Sequence, residues 1–362
     1  MQHHNPLLDN VDTTNKFITI GEIMLRLTPP NYEKIRLAAS FEASYGGSEA
    51  NIALALANLG IDSTFFTVVP NNSLGKSAVR MLRSNDVHCT PVILSTPEQT
   101  PTHRLGSYYL ETGFGIRPSQ VTYDRKHSAF SEFDYSQVDL NELLDGFTWL
   151  HLSGITPALG ENCRKLILDS LRIAKEKGIT VSWDGNFRSS LWSWEEARDF
   201  CTECLPYVDV LMGIEPYHLY KDDSDPSKGD WKDGVPLQPS YEQQDEIFQH
   251  FVERYPNIKC IARHVRYAHS GSENSLKAFM WLNDHTFESK LFTFNILDRV
   301  GGGDAFASGL IYAMMHNYKP MDIINFAVAS SAIKHTIHGD ANITDNAETI
   351  KNLMNMNFDI KR

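Results

Sequence analysis

Apolar positions along the chain fall into two alternating patterns. Short β-branched and aromatic runs recur at 17–20 (FITI), 64–69 (TFFTVV), 148–153 (TWLHLS), 179–184 (ITVSWD), 208–212 (VDVLM) and 258–262 (IKCIA), with helical patterns between them. SEANIALALANL starts at Ser48, a candidate cap, and stops at Gly60; NCRKLILDSLRIAKEK places Leu166, Ile167, Ser170, Leu171 and Ala174 on one face before Gly178. Strands alternating with helices predict an α/β fold: a mostly parallel sheet with helices on both faces, the strands at 148 and 179 joined by a right-handed crossover. Ligands of such sheets bind beyond the carboxyl ends of the strands, so Ser153, Asp184 and Gly213 are expected on the functional rim.

Two stretches break the alternation. Residues 31–46 and 103–128 carry aromatics, β-formers and turn glycines without helical period, which predicts a small accessory sheet able to cover a pocket as a lid. KDDSDPSKGDWKDGVPLQPS at 221–240 is polar and rich in Pro, Gly and Asp, and reads as a surface insertion. No internal repeat occurs, and residues 1–362 read as a single domain with the lid as a subdomain.

A hydrophobic content of 42% supports a large core, and a net charge of −12 without clusters of Lys and Arg excludes a nucleic-acid or anionic-membrane surface. A small-molecule partner fits better. No run approaches the ~20 apolar residues of a membrane span or the core of a signal peptide. Five scattered cysteines suit a reducing cytoplasm, and Cys201 and Cys204 read as helix-packing residues because no second pair completes a zinc set.

Two segments offer phosphate chemistry. PNNSLGKS at 70–77 ends like a P-loop, but Pro70 stands where a glycine is needed and has no N–H to give, so Gly75 is read as the turn entering the helix KSAVRMLRSN. DRVGGGDAF at 298–306 lies between a strand-like FTFNIL and the apolar helical pattern AFASGLIYAMMHN. Successive glycine amides at a helix N-terminus form an anion hole. An acid there repels the guest unless it has work to do, and Asp304 can take the proton of a hydroxyl attacking a phosphoryl group. Helix capping alone is the alternative reading of Asp304.

GGGDAF resembles the second signature of the ribokinase-like (PfkB) sugar kinases, and YGGSEANIALALANLG at 45–60 resembles their first. GEIMLRLTPP at 21–30, YDR at 123–125, WDGNFRSSLW at 183–192 and IKHTIHGDAN at 333–342 resemble the 2-keto-3-deoxygluconate kinase branch. The resemblance implies a three-layer α/β/α domain with a β-sheet lid, ATP with Mg²⁺, and phosphorylation of the terminal hydroxyl of a 2-keto-3-deoxy sugar acid. It also implies a homodimer or larger assembly through the lid. By position, Asp304 is the general base and Gly301, Gly302 and Gly303 form the anion hole. Gly46, Gly47 and Asn51 hold sugar hydroxyls, joined by Tyr109, Tyr123 and Arg125 from the lid, by Arg188 and by Asp340. Arg125 and Arg188 together would match a substrate carboxylate. Asn186, His264, Arg266, Gly301 and Gly303 fall on the nucleotide side, and Asp184 and Glu215 on the metal.

The chain departs from the family pattern at two places. Ile214 and Tyr217 occupy the positions of an NxxE motif, leaving Glu215 alone, and His264 in RHVR stands where a threonine is usual. A neutral-sugar kinase such as a fructokinase, and a sugar-acid or nucleotide-binding protein without efficient transfer, are the alternatives.

Overall fold

The computed structural model describes residues 15–217, 238–344 and 346–356. The insertion expected at 221–240 lies outside the described residues as far as 237. In chain order the strands are β1 (Lys16–Ile20), β2 (Met24–Thr28), β3 (Glu42–Gly46), β4 (Asp62–Phe66), β5 (Val68–Pro70), β6 (Ile93–Ser95), β7 (Ser107–Glu111), β8 (Gln120–Asp124), β9 (Trp149–Ser153), β10 (Thr180–Asp184), β11 (Val210–Met212), β12 (Cys260–Ala268), β13 (Glu273–Leu282), β14 (His285–Glu288) and β15 (Phe292–Asn295). The helices are α1 (Ser48–Asn58), α2 (Ser73–Arg83), α3 (Ala129–Glu132), α4 (Leu140–Leu143), α5 (Glu161–Glu176), α6 (Trp194–Cys204), α7 (Tyr241–Arg254), α8 (Gly302–Met315), α9 (Pro320–Lys334) and α10 (Ala347–Met354).

The central sheet has the order β14-β13-β12-β11-β10-β9-β1-β4, with β15 also on β13. From β4 to β12 every pairing is parallel; the edge beyond β12 is antiparallel. Period-2 alternation decides which layer each side chain enters. Phe17, Phe65, Trp149, Val210, Met212, Cys260 and Ala262 join a core with α1, α8 and α9. Their neighbours Ile18, Phe66, Leu150, Leu211 and Ile261 join the opposite core with α5, α6 and α7. The expected two-faced sheet is thus present. The five cysteines, Cys201 and Cys204 among them, are free and buried. No helix among the described residues is long and apolar enough to cross a membrane.

The accessory sheet has four strands in the order β3-β2-β7-β8. It is larger than 31–46 and 103–128 imply, because the chain leaves the main sheet after Ile20 and β2 at 24–28 becomes a central strand of the small sheet. The run at 64–69 is likewise two strands: β5 turns off at Thr67 and pairs with β6. Gly75 lies within α2, whose cap is Asn72; its Oδ1 accepts from the amides of Leu74 and Gly75. These are amides a phosphate would need, so the P-loop look-alike is closed. Glycine is required at 75 by close approach, since a Cβ there would stand 2.1 Å from the carbonyl oxygen of Pro70.

Candidate active site

Asp304 stands in the first turn of α8, directly after the glycine run. Gly301 caps the helix with a left-handed φ of 80°, and the first helical bond runs from the Ala305 amide to Gly301 O at 2.9 Å. The amides of Gly302 and Gly303 precede that bond and lack an intrahelical acceptor. A Cβ on Gly301 would run into Asp340 O and one on Gly302 would stand 2.4 Å from the His335 ring, whereas one on Gly303 would meet only His264 Cε1 at 3.9 Å. The first two glycines therefore allow the loop to pack, and Gly303 keeps the cavity side open.

Each oxygen of Asp304 is held from α1. Ser48 Oγ donates to Oδ1 at 2.8 Å and Asn51 Nδ2 to Oδ2 at 2.7 Å. The helix cap expected of Ser48 is therefore absent; Gly47 takes that position and the hydroxyl serves Asp304. Asn186 Nδ2 donates to Ser48 Oγ at 3.0 Å, and the Asn186 amide to Asp184 Oδ1 at 2.9 Å, so the rim after β10 is tied to the same network. Burial raises the Asp304 pKa above the ordinary carboxylate value, opposed by the Asn51 and Ser48 hydrogen bonds. Asp184 is pushed up to about 7, chiefly by burial, with Asp304 and Glu215 adding to the rise and Arg188 opposing it.

A cavity of about 760 Å³ opens in front of the glycine run. It brings together Gly47, Asn51, Tyr123, Arg125, Asp184, Asn186, Arg188, Glu215, His264, Arg266, Gly301, Gly302, Gly303, Asp304 and Asp340. Gly46 and Tyr109 do not line it. Gly46 gives room to Asp340, whose Oδ2 would stand 2.1 Å from a Cβ there. Tyr109 is on the wrong face of β7: the register pairs Tyr108 with Tyr123 and with Arg26, leaving Tyr109 opposite Thr122 and Leu27, edge-on to Phe41. Ser153 is buried and donates to Glu49 Oε1 at 2.6 Å, supporting the start of α1.

Several charged groups at the cavity already have partners. Arg125 is bound to Glu22 in a buried ion pair, its Nε donating at 2.8 Å. Asp340 accepts from Arg26 and from the Tyr108 hydroxyl, and Arg26 also holds Asp298. Burial raises the Asp340 pKa, against the pull of Arg26. Arg188 is different: it is exposed, donates to Phe187 O at 3.1 Å, and has no ion-pair carboxylate among the described residues. His264, which also lines the cavity, is held neutral, its pKa lowered to about 3 by burial and by Arg266 and Arg263; it packs on Phe306. Burial, then Arg299, brings Arg266 down to about 10, and its Nε is buried without a hydrogen-bond partner among the described residues. Arg299 also lines the cavity. Ile214 and Tyr217, the departures from the NxxE pattern, are core residues, Tyr217 edge-on to Phe251.

Sequence reading missed Arg26, Ser48, Tyr108, Glu22 and Arg299 at this site. Tyr108 and Tyr109 are adjacent, and only strand register selects between them. Tyr108→Phe is expected to lower stability by about 1 kcal/mol, because buried Asp340 loses a donor. Tyr109→Phe is expected to change nothing measurable; thermal melts of the two variants, with sugar KM alongside, check this.

Residues 14–215 match the family of pfkB family carbohydrate kinases. The chain is 31% identical over 329 residues to 2-dehydro-3-deoxygalactonokinase of Haloferax volcanii, covering 90% of this chain and 93% of that protein. It is 30% identical to 2-dehydro-3-deoxygluconokinase of Bacillus subtilis, covering 89% and 90% respectively. Its fold superposes on the crystal structure of 2-dehydro-3-deoxygluconokinase from Thermotoga maritima with a TM-score of 0.85 and 37% identity, over 94% of this chain and 99% of that one. Fold and site together define a ribokinase-like phosphotransferase. The chain belongs to the pfkB carbohydrate kinase family and is a sugar kinase.

Proposed function

We propose that the protein phosphorylates the terminal hydroxyl of a 2-keto-3-deoxy sugar acid, with Mg²⁺ accompanying ATP. The observation that carries the reading is one cavity lined both by Asp304, held on its two donors, and by Arg188, which has no ion-pair carboxylate among the described residues. Relatives named for 2-dehydro-3-deoxygluconate and 2-dehydro-3-deoxygalactonate support the acid, and leave two stereochemistries for the substrate.

Asp304 accepts the proton of the attacking hydroxyl; each of its oxygens holds one donor and keeps a lone pair for that proton. The amides of Gly302 and Gly303, at the positive end of α8, stabilise charge on the transferring group. Arg266 and Arg299 place positive charge along the donor's phosphates, and neutral His264 offers one N–H. Gly47 and Asn51 at the start of α1 and Tyr123 on β8 of the small sheet line the same cavity and would hold the sugar.

The metal fits a two-carboxylate site. A Cβ on Gly213 would stand 3.6 Å from Glu215 Oε2 and 4.0 Å from Asp184 Oδ1, so both acids flank Gly213 on the rim, where each oxygen already accepts one backbone amide, Glu215 from Ile214 and Asp184 from Asn186. No group of three or more His, Cys, Asp or Glu able to hold a metal occurs among the described residues. Mg²⁺ commonly takes one or two carboxylates and completes its shell with water and phosphate oxygens. When bound, it supplies charge neutralisation on the donor phosphates.

The exposed lid residues Phe41, Phe114, Ile116 and Val121 support pairing of the lid with a second copy, and the buried free cysteines suit the cytoplasm. ADP release with ATP, Mg²⁺ and a panel of 2-keto-3-deoxygluconate, 2-keto-3-deoxygalactonate and fructose tests the function. One keto acid is expected to exceed fructose in kcat/KM by about a hundredfold, as a charge-assisted contact permits. Fructose turning over equally well would make this a neutral-sugar kinase, and saturable binding without ADP release a binding module.

A further inference from the structure

Glu22 lies between β1 and β2, where the chain passes from the central sheet to the small one, and Arg125 directly follows β8, the edge strand of the small sheet. Both side chains are buried and both residues line the cavity. Arg125 directs two of its five N–H groups at one oxygen: Nε donates to Glu22 Oε2 at 2.8 Å, and Nη2 donates to the same atom. Nη1 makes no hydrogen bond among the described residues, so that end of the guanidinium is left for a ligand.

The surroundings of Glu22 are shaped for this pair. Its Oε1 is buried without a hydrogen-bond partner among the described residues, and a Cβ on Gly106 would stand 2.7 Å from that oxygen, so a glycine makes room for a carboxylate oxygen that bonds nothing. Its main-chain carbonyl is fixed as closely: a Cβ on Gly47, at the start of α1, would stand 2.1 Å from it. A tie between the two sheets does not require ions, since an uncharged hydrogen-bonded pair would make it with less desolvation. What the carboxylate adds is charge. Beside Arg125 it makes this part of the wall neutral, whereas Arg188, with no ion-pair carboxylate among the described residues, stays positive.

We propose that Glu22 is a positioning residue that sets specificity through Arg125. It holds the guanidinium with Nη1 free and cancels its charge, so Arg125 donates to an uncharged oxygen of the sugar, one that a keto acid and fructose share. The substrate carboxylate is thereby directed to Arg188, and the acid enters the cavity in a single orientation. The proposal rests on the keto-acid reading of the site.

The test uses the full chain and ADP release with the keto acid and with fructose. Glu22→Gln keeps an oxygen for Nε and Nη2 and removes only the charge, which leaves an uncompensated guanidinium in the wall. The acid then has two cationic sites and also binds in a second, unreactive orientation. Relative to fructose, its KM should fall about tenfold and its kcat should fall by the same factor. Glu22→Gln/Arg125→Gln is neutral again, so both ratios should return to within about threefold of the wild type; were Arg125 the carboxylate's partner, this variant would instead lose the acid by about a hundredfold against fructose. A merely structural pair moves both sugars together and leaves the ratios in place. Unmoved ratios in Glu22→Gln, a selective loss of the acid in the double variant, or a Glu22→Gln enzyme whose acid KM falls without loss of kcat would each overturn the proposal. A wild type that turns over no keto acid sinks the substrate reading instead. Thermal melts in sodium acetate against sodium chloride at equal ionic strength then still read the site: acetate should stabilise Glu22→Gln more than the wild type or the double variant, and an equal response in all three overturns the proposal.

Discussion

Asp304→Asn is expected to lower kcat by about a thousandfold, within the usual range for loss of a positioned general base. The substitution is nearly isosteric and the local network can absorb it. Its carbonyl oxygen can accept from Asn51 Nδ2, while its amide donates to Ser48 Oγ, which already accepts from Asn186 and has a second lone pair. The melting temperature should therefore stay near that of the wild type. ATP binding should persist or tighten, because a negative charge beside the anion hole is removed. The acid limb of the pH profile carries the same assignment. Burial raises the Asp304 pKa and the deprotonated form is the active one, so wild-type kcat/KM falls as pH drops through a value above the ordinary carboxylate range. Steady-state ADP release from pH 4 to 9, with melts of both proteins, is the measurement. An Asn variant within tenfold of wild-type kcat would remove Asp304 from the chemistry.

What the sequence revealed and what it hid follow the range of the interactions. The two-faced sheet was legible because Phe17 and Ile18, or Leu211 and Met212, alternate between layers under a local rule. Asp304 with its glycines was legible for the same reason: amides, helix end and acid lie within one turn of chain. Arg26 was not. In MLRLT it reads as an ordinary strand residue, and its partners Asp298 and Asp340 are 272 and 314 positions away. Glu22, which takes the charge of Arg125, is likewise 103 positions from it. Ser48 misled through a sound local rule, since serine before a helix favours capping, and the tertiary demand of Asp304 outweighed it. Strand β2 was assigned to neither sheet, because a short apolar run carries no local sign of the sheet it joins.

Arg188→Ala is expected to reduce kcat/KM for the keto acid by about 10–100-fold, the range of a hydrogen bond to a charged group, while changing fructose by less than about threefold. Arg125 and Arg188 were both read from sequence as partners for the substrate carboxylate, and the geometry separates them. Arg125 is nearly enclosed and bound to Glu22, so Arg125→Ala leaves a buried carboxylate unpaired and should cost about 3–5 kcal/mol of stability. Arg188 stands exposed at the rim with one backbone acceptor, so its removal should leave the melting temperature unchanged. Exposure also places the expected loss toward the lower end, and makes it shrink with added salt. One indirect effect must be kept out of the comparison. Arg188 lowers the pKa values of Asp304 and Asp184, so without it both carboxylates hold protons to higher pH and any substrate would slow near neutrality. Both pKa values rise without Arg188, so the sugars are compared over a pH series reaching well above the value of about 7 for wild-type Asp184, and the guanidinium's part is read from the ratio of acid to fructose, in which a protonation loss common to both sugars cancels. Equal losses for both sugars under those conditions would assign Arg188 to the phosphoryl donor and leave the substrate carboxylate to another group.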